Sequence, residues 1–466
     1  MIAVLLVAAS VATAARIRGT SGPDKLQTVN GKGDVVSCGR GPDLATVDGF
    51  DKVARDCEVV TRRISTDSYR GGPSLHETEV EPDSFANGKT VVSVFQVGRI
   101  FDGGARNIGF ATSSDSGRSW KHGFLRGLTP RASDPSIAYD RNHGEWLVVS
   151  LVFGAGPGSS IDVSRSADGV HWDSPVIATA TASTFGQDKE WIACDNWPQS
   201  PRYGNCYLSY SDTNSEEVVA QVSDDGGLTW ASPVAAPGFP GRGSIRGSFA
   251  PGVQPLALPS GRVVIPYYDE GKISEVRSDD GGVTWTQQVG IAPASYKNHA
   301  GLRAAPLPTS ALASDGRAYV AWADCSFHAG CTANDIVYVS SVDGIAWTPV
   351  ARIPTGTGDA ELPGLDADPV RPGRLALACY VLRGSSLDVR FVSSKNAGAT
   401  WTKPKLLNSR RVPISWIVPT SLGSMVGDYT STSFAGNRAV PVFALAQRPH
   451  GSRLQESMFA TSLAVP

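Results

Sequence analysis

One eight-residue phrase recurs along this chain and restricts what it can fold into. Ser223 to Trp230 reads Ser-Asp-Asp-Gly-Gly-Leu-Thr-Trp, Ser278 to Trp285 reads Ser-Asp-Asp-Gly-Gly-Val-Thr-Trp, and Ser113 to Trp120 reads Ser-Ser-Asp-Ser-Gly-Arg-Ser-Trp. Copies one residue shorter lie at Ser166 to Trp172 and Ser341 to Trp347, and a sixth, Ser394 to Trp401, has Asn396 in place of Asp. The closing tryptophans at 120, 172, 230, 285, 347 and 401 are 52, 58, 55, 62 and 54 residues apart. A period this long and steady implies one structural unit repeated along a single domain. The phrase itself has the chemistry of a tight turn: a short Asp side chain accepts nearby backbone N–H groups, Gly supplies positive φ, and the indole plugs an apolar seam.

The phrase resembles the Asp box of the sialidase-like β-propellers, also called the bacterial neuraminidase repeat. That resemblance implies an all-β fold, with Asp115, Asp168, Asp225, Asp280, Asp343 and Asn396 as turn residues rather than catalytic ones. Before each box runs an inner-strand phrase, beginning near Glu81, Asp134, Asp188, Gln254, Leu307 and Leu362. Beyond the sixth box, Gly427-Asp428-Tyr429, Ala439–Ala444 and Ser457–Thr461 read as three strands of a further unit. The run Cys57 to Asp67 could supply its missing outer strand and close a ring, since closure leaves no exposed sheet edge. The expected architecture is therefore a single β-propeller over 57–466 with seven four-stranded blades. Six blades is the alternative, since sialidases have six. Residues 15–56, rich in Gly and polar side chains, read as an irregular segment.

Residues 1–14 form an apolar stretch ending in Ala12-Thr13-Ala14, which resembles a signal peptide with a small-residue cleavage site, so a secreted protein is expected. The run is too short to span a bilayer. Seven cysteines then suggest three short-range disulfides, Cys38 with Cys57, Cys194 with Cys206 and Cys325 with Cys331, leaving Cys379 inside an apolar run as a buried free thiol. The 42 Lys plus Arg against 44 Asp plus Glu argue against a general nucleic-acid surface. A monomer acting on a glycan is expected.

In a four-stranded blade the box joins strands three and four, so function belongs to the opposite face. Carboxylates, arginines and tyrosines gather in the loops assigned there. Such a rim suits an acidic sugar, because guanidinium groups bind a carboxylate bidentately while a carboxylic acid protonates the glycosidic oxygen. The resemblance to sialidases implies an arginine clamp, a Tyr nucleophile activated by Glu, and an acid–base Asp. By blade position Arg246, Arg303 and Arg383 are the clamp, with Arg131 a further substrate-binding candidate. Tyr267 or Tyr429 is the nucleophile, Glu270 a catalytic carboxylate, and Asp134 or Asp188 the acid. The Phe-Arg-Ile-Pro phrase that precedes the first blade in sialidases is absent there. Any one of these arginines could instead tie neighbouring blades together. Glu81, Asp134, Asp188 and Asp428 could ring the channel, bonded to one another or holding a hard cation such as Ca²⁺; no metal set is specified and no cofactor is required. The expected activity is hydrolysis of a terminal acidic sugar. A polysaccharide lyase acting on uronate-containing glycans and a non-catalytic glycan- or protein-binding propeller are the alternatives.

Overall fold

Runs such as Val91–Phe95, Leu147–Leu151 and Leu375–Val381 are dense in β-branched and aliphatic residues and buried on both sides, as strands packed between sheets must be. The computed structural model describes residues 14–128, 130–154, 158–183, 186–215, 217–235 and 252–465. The expected leader, apart from Ala14, and Arg246 lie outside them. Among the described residues there is no α-helix, only one 3₁₀ turn, Ile414–Trp416.

The chain folds as antiparallel units of four strands taken in sequence order. The first is Glu79–Asn87, Thr90–Arg99, Ala105–Ser113 and Lys121–Phe124; the second is Arg131–Asp140, Glu145–Phe153, Ser159–Ser166 and Val176–Thr181. A single pairing, Ala132 with Ala105, joins these two into one eight-stranded sheet. Four further units begin at Gln187–Cys194, Leu256–Ala257, Thr309–Leu312 and Asp359–Ala367. The last sheet takes Ser431–Ala435, Arg438–Ala446 and Glu456–Thr461 from the C-terminal end, and its outer strand, Val59–Arg63, from the N-terminal end, with Phe459 opposite Arg63. First strands of successive units lie against one another, and Ser431–Ala435 lies against Glu79–Asn87.

The repeated turns explain their own sequence. In the third unit Asp225 Oδ1 accepts the Leu228 and Thr229 N–H groups at 3.0 Å each, Thr229 Oγ1 donates to Oδ2 at 2.6 Å, and Gly227 N–H donates to Ser223 Oγ at 2.9 Å. Asn396 keeps the pattern, accepting the Thr400 N–H at 2.9 Å. Each turn also brings a glycine against the preceding unit: a Cβ at Gly169, Gly227, Gly282, Gly344 or Gly398 would stand under 3 Å from Val92, Leu147, Val222, Val264 or Tyr338. In the first unit Gly117 meets Val440 of the last one. Glycine is thus required twice over, for positive φ and for close approach. Trp172 and Trp285, each 7% exposed, fill the seams beside these contacts.

Residues 15–56, expected to be irregular, are instead a small parallel coil. Arg16–Arg18, Val35–Ser37 and Lys52–Val53 pair in parallel, as do Lys25–Gln27, Leu44–Val47 and Val59–Arg63. Strands of two to five residues carry no periodic signal. The coil is held by a narrow core of Val36, Cys38, Ala45 and Val47, and by buried aspartates such as Asp34 and Asp51 that accept backbone N–H groups of neighbouring turns. Val59–Arg63 belongs to both regions, so coil and last unit share one sheet. The three disulfides join the expected pairs, and Cys379 is a buried free thiol. No helix among the described residues is long and apolar enough to cross a membrane.

Candidate functional site

Four of the first strands share a bulge at the same level. The register shifts between Val80 and Asp83, Ser133 and Ser136, Asp188 and Trp191, and Glu361 and Gly364. Inside each shift one residue takes positive φ: Glu81 (63°), Asp134 (48°), Lys189 (54°) and Leu362 (50°). Bulges re-aim side chains, and non-glycine residues held at positive φ mark places where the surrounding structure imposes a conformation. Two groups of polar side chains meet at this level.

The first is a sealed ion network. Lys189 Nζ stands 3.1 Å from Glu81, 2.8 Å from Asp134 and 2.7 Å from Asp428, and all four side chains are almost wholly buried. Arg303 Nε donates to Asp428 Oδ1 at 2.7 Å and its NH2 pairs with Oδ2. Gln96 bonds Glu81, and Arg99, 2% exposed, donates to Gln96 at 3.0 Å. Burial opposes ionisation of Asp428, yet Arg303 and Lys189 hold it far below the usual carboxylate range. Burial pushes Glu81 up to about 8 and Asp188 up to about 7, the second aided by Asp134. Lys189 stays charged because the desolvation that opposes it is outweighed by the carboxylates around it. Three of the four carboxylates expected to ring a channel, Glu81, Asp134 and Asp428, do converge, but on this ammonium. The donor set therefore does not fit Ca²⁺, which would have to displace a lysine already bonded to all three.

The second group is half-open. Glu361, buried on the sixth unit's first strand, accepts Tyr296 Oη at 2.9 Å on one oxygen, and His299 Nε2 and Asn334 Nδ2, each at 2.7 Å, on the other. Because the carboxylate only accepts, His299 must carry a proton on Nε2 here, leaving Nδ1 as the ring nitrogen available for proton exchange. Asn334 also donates to the Lys297 carbonyl at 2.9 Å, and Lys297 Nζ reaches both Asp359 oxygens at 3.1 Å. The Cys325–Cys331 disulfide staples the loop that delivers Asn334. Burial and the adjacent Glu361 push the Tyr296 phenol far above its ordinary range, so it is a neutral donor at rest. Tyr296 and His299 are only partly buried.

Most of the site residues expected from sequence lie elsewhere. Asp134 is in the Lys189 network, and half-buried Asp188 adjoins it beside Asp134. Tyr267 is fully buried in the fourth unit's core, and Tyr429, also buried, donates its hydroxyl to the Pro135 carbonyl at 3.0 Å, so neither can serve as a nucleophile. Glu270 is exposed at a hairpin tip, one strand-end away from Tyr267 rather than beside it. Arg131 pairs with Asp102 at 3.1 Å and stacks on Phe153. Arg303 is gripped by Asp428, and exposed Arg383 lies at the far end of a hairpin, beside Arg390 and Arg411. The described arginines therefore do not form one clamp. Tyr296 and His299 were not singled out. Their signal is the 62-residue interval between the fourth and fifth boxes, the longest of the five, whose extra length is the loop before Thr309.

No protein-family model matches the chain, and no curated protein does either. Several solved structures are similar in fold. They include a polysaccharide lyase of family 25, an ulvan lyase bound to a glucuronate–sulfated rhamnose unit (12% identity, 84% of this chain and 95% of that one, TM-score 0.48). An α-L-arabinofuranosidase from Fusarium graminearum in complex with an iminosugar inhibitor is another (12%, 86% and 98%, 0.46). A Hadza microbial sialidase matches at 16% identity and TM-score 0.44, and the chain spans 65% of that protein's length with 65% of its own. Likenesses this weak do not identify a reaction.

Proposed function

We propose that this protein is a secreted, seven-bladed β-propeller that cleaves a glycosidic linkage in an acidic glycan, with Tyr296, Glu361 and His299 as its reacting groups. The unit count rests on the six four-stranded repeats, the mixed last unit and the Gly117–Val440 contact between first and last. The observation that carries the reaction is the carboxylate of Glu361, which holds a phenol on one oxygen and an imidazole on the other. A tyrosine is a weak nucleophile at its own pKa and needs an adjacent base. Glu361 is that base: it takes the Tyr296 proton as Oη attacks the anomeric carbon and the glycosidic C–O bond breaks, and the resulting aryl glycoside of Tyr296 is then hydrolysed by water. The departing oxygen takes its proton from solvent; His299, fixed by the same carboxylate, then takes a proton on Nδ1 from the water that displaces Tyr296, and Glu361 returns its proton to the phenolate.

A lyase reading keeps the same residues, and the His299–Glu361 pair favours it, since an imidazole oriented by a carboxylate is a competent base for abstracting a proton beside a uronate carboxylate. Incubation with sialylated and with uronate-containing glycans separates the two. Release of a saturated sugar acid supports hydrolysis, and a new unsaturated-uronate absorbance supports elimination. Binding without any product, unchanged in Glu361→Gln, would make the protein a binding module and overturn the catalytic reading.

A further inference from the structure

Outside both polar groups lies a cleft of about 410 Å³ between the sixth unit and the N-terminal coil. Lys25, Arg383, Arg390 and Arg411 line it, with Asp388 as the one acidic side chain among its walls, leaving an excess of three positive charges. Asp388 is buried and pairs with two of them, Arg411 Nε at 3.3 Å and Arg390 at 3.7 Å. Arg390 also donates to the Thr355 carbonyl at 2.8 Å. The loop beneath is Thr355-Gly356-Thr357-Gly358, where a Cβ at Gly356 would collide with the Arg390 guanidinium and one at Gly358 with the Arg383 stem. The two glycines let the arginines lie against the loop. Arg383 has no ion pair or hydrogen bond among the described residues, and Arg383, Arg411 and Lys25 are exposed. Lys25 comes from the coil, which is anchored here by the bond from Ser409 N–H to Thr46 Oγ1 at 3.0 Å.

We infer that this cleft binds carboxylate or sulfate groups along a polyanionic glycan chain. Guanidinium groups bind such anions through paired charge-assisted hydrogen bonds. Its position selects a glycan. Gly358 leads directly into the strand Asp359–Ala367, and Glu361 stands three residues on, about 10 Å at ~3.3 Å per residue. A chain running from the cleft would reach Tyr296 and Glu361. The choice of ligand rests on the glycan reading above, and the coil acquires a role, completing an outlying subsite.

The test is calorimetric titration of the full chain, at low salt, with oligogalacturonate, heparin oligosaccharide and neutral dextran, alongside turnover assays. Oligogalacturonate or heparin oligosaccharide should bind, with affinity falling as salt rises, and dextran should not. Arg383→Ala with Arg411→Ala should weaken binding at least tenfold without changing the melting temperature, and Lys25→Glu, which changes only the coil, should weaken it as well. Glu361→Gln should keep binding and lose turnover. Unchanged affinity in the double variant, no binding of either polyanion, or equally tight binding of a duplex DNA of similar charge would overturn the inference. Normal turnover in Glu361→Gln with binding lost in the cleft variants would leave the cleft standing and remove the catalytic reading.

Discussion

The Lys189 network and the Glu361 group lie at one level of the fold and are built from the same kinds of residue, yet they differ in which charges are paired. Around Lys189 each carboxylate that reaches the ammonium is buried and matched, and the guanidinium of Arg303 is already engaged. Around Glu361 the carboxylate is buried, Tyr296 is partly exposed, and the His299 side chain is 7% exposed. Perturbed titration alone does not separate structural from reactive groups, since ion networks perturb pKa values too. The network with the larger pile of charge is the one whose ammonium and carboxylates are already bonded to one another.

That contrast makes the variants fall in opposite classes. Lys189→Met should cost about 3–5 kcal/mol, the usual penalty for stranding buried partners of an ion pair. Denaturant unfolding would show it, and a change below about 1 kcal/mol would mean that the carboxylates simply protonate. A smaller loss is expected at the seams: Gly227→Ala combines an unfavourable φ with a clash against Leu147, for about 1–3 kcal/mol by the same measurement. The pH dependence is subtler. Glu81 and Asp188, with folded pKa values raised to about 8 and about 7, bind more protons in the folded than in the unfolded state between pH 4 and 8. Their contribution is complete below the unfolded carboxylate pKa and is lost as pH rises through the folded values. The melting temperature should therefore fall between pH 5 and 8.5, and Glu81→Gln should flatten that slope. A rising slope over that range would contradict the arrangement.

Much of the fold was legible because turn chemistry and close approach dictate the same letters in every copy: Ser, Asp or Asn, Gly and Trp each have one physical job. Likewise the pairing of the Cys57–Asp67 run with the C-terminal strand followed from the need for an outer strand. The parallel coil was not legible, because its strands are two to five residues long and its aspartates serve backbone groups of adjacent turns, a pattern easily taken for loop. The site was read by blade position, which aligned Asp134 with Asp188 where the bulges align it with Lys189, and could not reveal their partners. Asp428 takes Arg303, Pro135 takes Tyr429, and the chain's own Lys189 occupies the centre. Tyr296 and His299 come from a loop with no motif, and only their convergence on Glu361 marks them.

The most direct test is a paired measurement on Tyr296→Phe, which removes one hydroxyl and no packing volume. Turnover of an acidic glycan substrate and the melting temperature should be read on the same preparation. Turnover should fall at least about a hundredfold, in the range by which acid–base and nucleophilic groups contribute, while the melting temperature moves by little, since a partly exposed hydrogen bond contributes only about 1 kcal/mol. Turnover equal to that of the unaltered protein would contradict the account at its centre.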